Sequence, residues 1–222
     1  MDNYTIDKTK KWDYENGFYL TCETGRLGKF INHLELYKKI LPLNGDILEF
    51  GVFKGNSISR LLSFRDLLEN SNNRKVIGFD AFGSFPNKIE SKRDRDFAKY
   101  HDDVCGFGID VQDLKELLED KGLNNFELIK GDIIETLPEF LNSNSTLQIS
   151  LLHIDIDIYE PTLLILELLW DKIVPGGILM LDDYDLIEGE TIAVNEFFEG
   201  KDIFIHESKY HQSPKYIIKP KI

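Results

Sequence analysis

The chain has 222 residues and 42% of them are hydrophobic, which suits one sizeable α/β domain and excludes wholesale disorder. Its formal net charge of −13 disfavours nonspecific binding to nucleic acid or to an anionic membrane surface. The two cysteines form no disulfide framework and no metal-ligand spacing, and no apolar run resembles a signal peptide or a membrane span. We therefore expect a cytoplasmic protein with no nucleic-acid or membrane partner.

The first 42 residues are predicted to form an N-terminal arm and a helix. Residues 1–25 are polar with scattered aromatic side chains, which we expect to pack as an arm. Residues 26–41 carry apolar side chains at helical spacing, and Pro42 ends this pattern.

Strands and helices alternate along the rest of the chain, residues 43–222, which we interpret as one domain. Apolar runs predict strands at residues 46–51, 75–80, 126–132, 148–155, 176–183, 202–207 and 213–220. Segments of helical pattern with ten or more residues separate most of these runs. The alternation predicts an α/β fold with a doubly wound, mostly parallel, Rossmann-like sheet of seven strands and helices on both faces.

A long charged segment interrupts the alternation after the second strand. Residues 81–110 are predicted to be irregular, and the part from 84 to 110 is predicted to be a lid above the ligand site. His101 lies in this segment. It is interpreted either as a solvated loop histidine or as a substrate contact or base.

Acidic side chains stand at the carboxyl ends of five predicted strands. They are Glu49, Asp80, Asp132, Asp155, Asp182 and Asp183. Ligands of such sheets bind at the carboxyl ends of the strands, beside the point where the strand order reverses, so these acids indicate a shared crevice. Asp80 is placed to bind ribose hydroxyls, and Asp132 is placed to reach an adenine amino group. The pattern predicts an adenosine-containing ligand.

The segment after the first strand, EFGVFKGNS at residues 49–57, contains glycines but no phosphate-binding motif. Val52 and Phe53 stand where a dinucleotide fingerprint requires small residues, which disfavours NAD. No G-K-[ST] sequence follows, which excludes a P-loop. Gly51 and Gly55 would let the backbone pass close to a small or flat ligand, and an ordinary strand-to-helix turn explains them equally well.

Five segments carry a family resemblance: ILEFGVFKGNSISRLL, VIGFDAFGSFP, KGDIIETLP, HIDIDIYEPT and PGGILMLDDYD. Together they resemble the class I S-adenosylmethionine-dependent methyltransferases, and more narrowly the macrocin O-methyltransferase (TylF-like) family. The resemblance covers about residues 16–200 and implies a sheet that ends in a reversed C-terminal hairpin. It also implies that the cofactor is bound by Glu49, Gly51, Phe53, Gly55, Asn56, Ser57, Asp80, Ala81, Phe82, Gly131, Asp132 and Asp155.

The resemblance further implies that Asp155, Asp182 and Asp183 bind Mg²⁺ or another divalent cation. Like-charged carboxylates in one crevice repel one another by ~4 kcal/mol per pair at ~4 Å and an effective dielectric of ~20. A cation relieves this repulsion, and hard cations such as Mg²⁺ prefer sites made of oxygen ligands. His153 shares a strand face with Asp155 and is interpreted either as a neighbour of the metal or as a core histidine.

The activity implied by the resemblance is O-methylation of a hydroxyl on a sugar, nucleotide sugar or glycoconjugate. A bound cation would lower the pKa of that hydroxyl, and Asp155 or Asp157 would accept its proton. Asp157 has a second interpretation, as a cap of the following helix. The alternatives are a catechol-type small-molecule O-methyltransferase and a non-catalytic protein that binds an adenosine ligand, and a homo-oligomer is left open.

Overall fold

A mostly parallel β-sheet forms the centre of the molecule, in a computed structural model that describes residues 6–86 and 88–221. Within those residues its strands are β1 (Asp46–Phe50), β2 (Val76–Asp80), β3 (Phe126–Lys130), β4 (Ile149–Ile154), β5 (Ile173–Leu181) and β6 (Lys215–Ile218). The spatial order is β3-β2-β1-β4-β5-β6, with neighbours parallel from β3 to β5 and β6 antiparallel to β5. Strand β4 is buried along its whole length, as a central strand covered on both faces requires.

Helices cover both faces of this sheet. Within the same residues they are α1 (Lys11–Thr21), α2 (Thr24–Ile40), α3 (Asn56–Leu68), α4 (Lys92–Cys105), α5 (Val111–Asp120), α6 (Ile133–Ser143), α7 (Tyr159–Leu169) and α8 (Glu188–Phe198). Apolar side chains of α2, α3 and α5 build one hydrophobic cluster against the sheet, and those of α6, α7 and α8 build a second. The predicted doubly wound α/β fold is therefore confirmed.

The strand order reverses between β1 and β4, because β2 lies on one side of β1 and β4 on the other. At this point the N–H of Asp155 donates to the carbonyl oxygen of Phe50 at 2.9 Å. Gly51 follows with φ +88°, and a Cβ atom there would lie 1.7 Å from the carbonyl oxygen of Asp155. Only glycine fits this position, so the loops after β1 and β4 lie directly against each other.

The predicted seventh strand, residues 202–207, is wrong. The segment forms a single antiparallel bridge in which His206 and Tyr216 exchange two backbone hydrogen bonds of 2.8 and 3.0 Å. The next hydrogen-bonded pair toward the turn would need an amide hydrogen on Pro214, which proline lacks. On the other side of the bridge, the chain turns back on itself, because the N–H of Ile203 donates to the carbonyl oxygen of Lys201 at 3.0 Å. The C-terminal reversal thus consists of β6 and one bridge.

The segment predicted to be irregular, residues 81–110, contains the helix α4. Ser91 caps it, because its side chain accepts from the N–H of Asp94. The sequence shows no apolar stripe here because only Asp94 and Ala98 of this helix are buried. Asn87 of the candidate lid, residues 1–5 of the predicted arm and Ile222 lie outside the described residues.

The aromatic N-terminal segment, predicted to pack as an arm, forms the helix α1, which lies outside the hydrophobic core. None of its residues is buried, and Trp12 and Tyr19 are each 64% exposed. In contrast, α2 follows the predicted helical segment and buries Leu36, Tyr37 and Ile40. No helix among residues 6–86 and 88–221 is both long and apolar enough to cross a membrane.

Candidate active site

A cleft lies at the carboxyl ends of β1 to β4, where the sequence predicted a ligand. The predicted residues that line it are Gly51, Phe53, Asp80, Ala81, His101, Gly131, Asp132, Asp155 and Asp157. The structure therefore brings together residues from four separate strand ends and from α4. Phe85 and Ile89, from the segment predicted as a lid, and Glu160, which was not predicted, also line the cleft.

Other predicted cofactor residues lie beside or beneath the cleft. Glu49 is fully buried, and its Oε1 accepts a 2.5 Å hydrogen bond from Ser57 Oγ. Phe82 is buried as well, whereas Gly55 and Asn56 stand at the start of α3. These five residues do not line the cleft, so their contact with a cofactor stays a prediction.

Asp80 fixes the loops that form one wall of the cleft. Its Oδ2 accepts from the N–H of Phe53 at 2.8 Å, and its Oδ1 accepts from the N–H of Phe82 at 2.5 Å. Burial raises its pKa even though these backbone hydrogen bonds oppose the shift. Each carboxylate oxygen has a second lone pair, so Asp80 can still accept from two hydroxyl groups of a ligand in the cleft.

Asp132 serves both as a helix cap and as a residue of the cleft. Its Oδ1 accepts from the N–H of Ile134 at 3.0 Å, which satisfies the start of α6. Gly131 precedes it with φ +147°, and a Cβ atom there would lie 2.7 Å from the Thr136 side chain. Glycine is therefore favoured here because the loop packs against Thr136, and this loop lines the cleft.

A cluster of carboxyl groups lies at the ends of β4 and β5. One oxygen from each of Asp155, Asp182 and Asp183 lies within 4.8 Å of the others. Burial, followed by the charges of Asp182 and Asp183, raises the pKa of Asp155 well above its ordinary value. Burial and the charge of Asp157 raise the pKa of Asp183 to about 9. The cluster therefore resists ionisation unless a positive charge is present.

Lys29 of α2 brings a positive charge to this cluster. Its Nζ lies 2.5 Å from Oδ2 of Asp182, and the two side chains are 14% and 7% exposed. Burial opposes ionisation of Asp182, but His153 and Lys29 hold the pKa of that carboxyl below its ordinary value. Lys29 was not predicted, because 153 residues separate the two members of this ion pair.

The donor set of the cluster fits the hard divalent cation that the family resemblance implies. Over residues 6–86 and 88–221, Oδ2 of Asp183 is buried without a hydrogen-bond partner. Glu190 of α8 adds a second such oxygen, Oε2, while its Oε1 accepts from the N–H of Asp183 at 3.1 Å. Buried oxygens that lack donors are what a cation with oxygen ligands would satisfy.

Asp157 lines the cleft and does not cap the following helix. The N-cap residue of α7 is Ile158, whose side chain makes no capping hydrogen bond. The first N–H of the helix, that of Tyr159, instead donates to Oδ2 of Asp94 at 3.0 Å. Asp157 itself has φ +65°, and burial followed by the charge of Asp155 raises its pKa to about 7. The capping interpretation is therefore wrong, because a residue of α4 supplies the cap.

His101 of α4 closes the cleft from above. Its ring lies 5.2 to 6.2 Å, between centroids, from the rings of Phe53, Phe85 and Phe97. Within the part of the chain that is described, its Nδ1 is buried and has no hydrogen-bond partner. Burial lowers its pKa, so the ring is neutral near pH 7. His101 is therefore a lining residue and not a solvated loop histidine.

The contact between Asp94 and α7 provides a test of whether residues 84–110 form a lid. We expect hydrogen exchange of residues 84–110 to be fast in the free protein and slow once S-adenosylhomocysteine and an acceptor are bound. Asp94→Ala should remove the cap, at a cost of about 1 kcal/mol, and speed exchange in α4 about fivefold. Asp96→Ala, an exposed change on the same helix, is the control. Equal protection of this segment in both states would contradict a lid.

The comparisons with known proteins agree with this geometry. A Rossmann-like sheet with a glycine loop after β1 and acids at the strand ends is the arrangement that the sequence resemblance to the methyltransferase class implies. The chain matches the family model described as Macrocin-O-methyltransferase (TylF) over residues 26–207. It therefore belongs to the macrocin O-methyltransferase (TylF) family and is an S-adenosylmethionine-dependent O-methyltransferase. No curated protein sequence matches it significantly.

Three solved structures illustrate the shared fold. CalS11, described as a TDP-rhamnose 3'-O-methyltransferase of calicheamicin biosynthesis, is 24% identical, with a TM-score of 0.69 over 97% of this chain and 88% of that one. The O-methyltransferase NovP is 20% identical, with a TM-score of 0.72 over 87% and 80%. An O-methyltransferase from Bacillus cereus in complex with SAH is 14% identical, with a TM-score of 0.52 over 97% and 93%.

Proposed function

We propose that this enzyme methylates a hydroxyl group of a sugar, nucleotide sugar or glycoconjugate, with a divalent cation held by Asp155, Asp182 and Asp183. The observation that carries the proposal is the cluster of these three carboxyl groups at the edge of the cofactor cleft. Family membership and the TDP-rhamnose substrate of CalS11 support a sugar acceptor. The cytoplasm, where nucleotide sugars are available, is the expected compartment.

Methyl transfer is a displacement at carbon. The acceptor oxygen forms a bond to the methyl carbon, the carbon–sulfur bond breaks with its electron pair going to sulfur, and the hydroxyl proton leaves. A divalent cation at the carboxylate cluster would lower the pKa of the acceptor hydroxyl. Asp157 lies in the cleft two residues after Asp155 and is placed to take the proton. Phe53 and His101 enclose the cleft and exclude water from it.

The cofactor half of the cleft predicts a loss of affinity in Asp80→Ala. The change removes a charged acceptor whose hydrogen bonds to ribose are each worth ~1.5–3 kcal/mol, so the affinity for S-adenosylmethionine should fall at least about tenfold. Calorimetry measures this, and a melting curve controls for the lost loop contacts to Phe53 and Phe82. Asp182→Ala should leave the affinity within a few-fold while turnover collapses. A folded Asp80→Ala protein with wild-type affinity would show that the cofactor lies elsewhere.

The acceptor is identified by a panel assay. Wild-type enzyme is incubated with labelled S-adenosylmethionine, with and without Mg²⁺, and with nucleotide sugars, free sugars and catechols. Label transfer to a sugar compound only with Mg²⁺ is the expected result. Transfer to a catechol alone would favour the small-molecule alternative, because two vicinal hydroxyls chelate the same kind of metal site. Cofactor binding without transfer to any compound would favour a binding protein.

A further inference from the structure

A second group of polar side chains lies beneath the carboxylate cluster, between α2 and the sheet. It consists of His33 of α2, His153 of β4, Glu49 of β1 and Asp182, all at most 5% exposed. Both ring nitrogens of each histidine, Oε2 of Glu49 and Oδ1 of Asp182 are buried, with no hydrogen-bond partner among the described residues. Burial of so many unsatisfied polar atoms in one place is unfavourable, which indicates that the group binds something.

The geometry of three of these residues suits a single metal ion. One nitrogen of His33, one nitrogen of His153 and one oxygen of Asp182 lie within 4.8 Å of one another. His153 Nε2 is 3.6 Å from Asp182 Oδ1, which exceeds a normal hydrogen bond. Two ligands at tetrahedral zinc distances lie about 3.4 Å apart, close to this value. The two rings meet edge to face, with centroids 5.5 Å apart, so neither blocks the other's nitrogen by stacking.

The fourth residue of the group, Glu49, has the position of a supporting carboxylate. Its Oε2 faces Nδ1 of His153 at 3.9 Å, on the side of the ring away from Asp182. Its other oxygen, Oε1, is held by Ser57 Oγ. Metal-bound histidines commonly direct their second nitrogen toward a carboxylate, which sets the tautomer and the orientation of the ring. The Nε2 edge of the His153 ring therefore faces Asp182, and its Nδ1 edge faces Glu49.

We propose that His33, His153 and Asp182 form a second metal site, which takes a first-row transition ion such as Zn²⁺. Two imidazole nitrogens and one carboxylate favour Zn²⁺, Co²⁺ or Ni²⁺ over Mg²⁺, which prefers oxygen ligands. The ion ties α2 to the ends of β4 and β5. It also fixes Asp182, whose other oxygen pairs with Lys29 at the carboxylate cluster. The alternative is an imidazolium of His153 that balances Glu49 and Asp182 without an ion.

Cobalt serves as the probe, because its visible spectrum reports its ligands. The full-length protein is stripped with a chelator and titrated with Co²⁺ in excess Mg²⁺, which occupies sites made only of oxygens. We expect one equivalent of Co²⁺ to bind with ligand-field bands. His33→Leu should weaken this binding by more than about 10–100-fold. Asp155→Asn, which alters only the carboxylate cluster, and His206→Gln, a histidine outside both groups, should retain the bands.

His33→Cys keeps a ligand and tests the assignment independently of folding. A thiolate at this position should add a sulfur-to-cobalt charge-transfer band, which a purely structural role of His33 would not produce. The proposal is overturned if no Co²⁺ binds in excess Mg²⁺. It is also overturned if the bands survive His33→Leu and vanish in Asp155→Asn, since the ion would then lie in the carboxylate cluster. Methyl transfer is not part of this readout, so either failure leaves the proposed function intact.

Discussion

Asp155→Asn is expected to lose at least about 100-fold in turnover at saturating Mg²⁺. Loss of a residue that only supports a metal ligand typically costs 10–100-fold, so loss of a direct ligand should cost at least the upper value. The substitution keeps the shape of the side chain and removes one charge, so it tests the charge itself. Asp155 lies partly buried, with one carboxyl oxygen within 4.8 Å of an oxygen of Asp182 and of Asp183.

The same variant should become more stable when no divalent cation is present. Without metal, burial and the charges of Asp182 and Asp183 raise the pKa of Asp155, so folding near pH 7 has to protonate a carboxyl that is ionised in the unfolded chain. Asparagine is neutral in both states and avoids this cost. The melting temperature without metal should therefore rise, whereas stabilisation by added Mg²⁺ should shrink. Asp113→Asn, the same chemical change on the exposed surface of α5, should alter neither quantity.

Turnover at saturating Mg²⁺ decides between a catalytic and a structural role for Asp155. Repulsion is relieved in either case, so a rise in melting temperature alone does not distinguish them. An Asp155→Asn enzyme with nearly wild-type turnover that is indifferent to a chelator would overturn the metal-assisted mechanism. Chelation of the wild-type enzyme should abolish turnover, and added Mg²⁺ should restore it.

The parts of the site that the sequence predicted are those set by strand ends. A parallel sheet brings the carboxyl ends of its strands to one edge. Acids at those ends therefore lie close together regardless of the conformation of the connecting loops. Asp80, Asp132 and Asp155 could therefore be assigned to one cleft from the sequence alone, and the structure places all three there. Gly51 was also identifiable, because a glycine after the first strand allows the close approach that Asp155 imposes.

The parts that the sequence could not predict depend on contacts between distant segments. Lys29 and His33 lie on α2, and nothing in the pattern of an amphipathic helix indicates that two of its polar residues reach the end of β5. The N–H of Tyr159 is likewise capped by Asp94, which lies 65 residues away in the chain. The local sequence pattern instead pointed to Asp157 as the cap. The seventh strand failed for a local reason, since Pro214 cannot extend the ladder beyond one bridge.

Asp157→Asn is expected to lower turnover by about 10²–10⁴-fold, the usual contribution of a general base. Asp157 lines the cleft beside Asp155, and its carboxylate is not used as a helix cap, because Asp94 satisfies the N–H of Tyr159. Unlike Asp155→Asn, this variant should bind Mg²⁺ and S-adenosylmethionine within a few-fold of the wild type, because Asp157 is outside the predicted metal-ligand set.

His101→Gln is the comparison that separates the two candidate bases. The ring of His101 lines the same cleft, but it is surrounded by Phe53, Phe85 and Phe97, so it is better placed to exclude water than to take a proton. His101→Gln should therefore reduce turnover much less than Asp157→Asn when both are measured with saturating Mg²⁺ and cofactor. If Asp157→Asn keeps most of the wild-type turnover while His101→Gln loses it, the proton passes to the histidine and the role given to Asp157 is wrong.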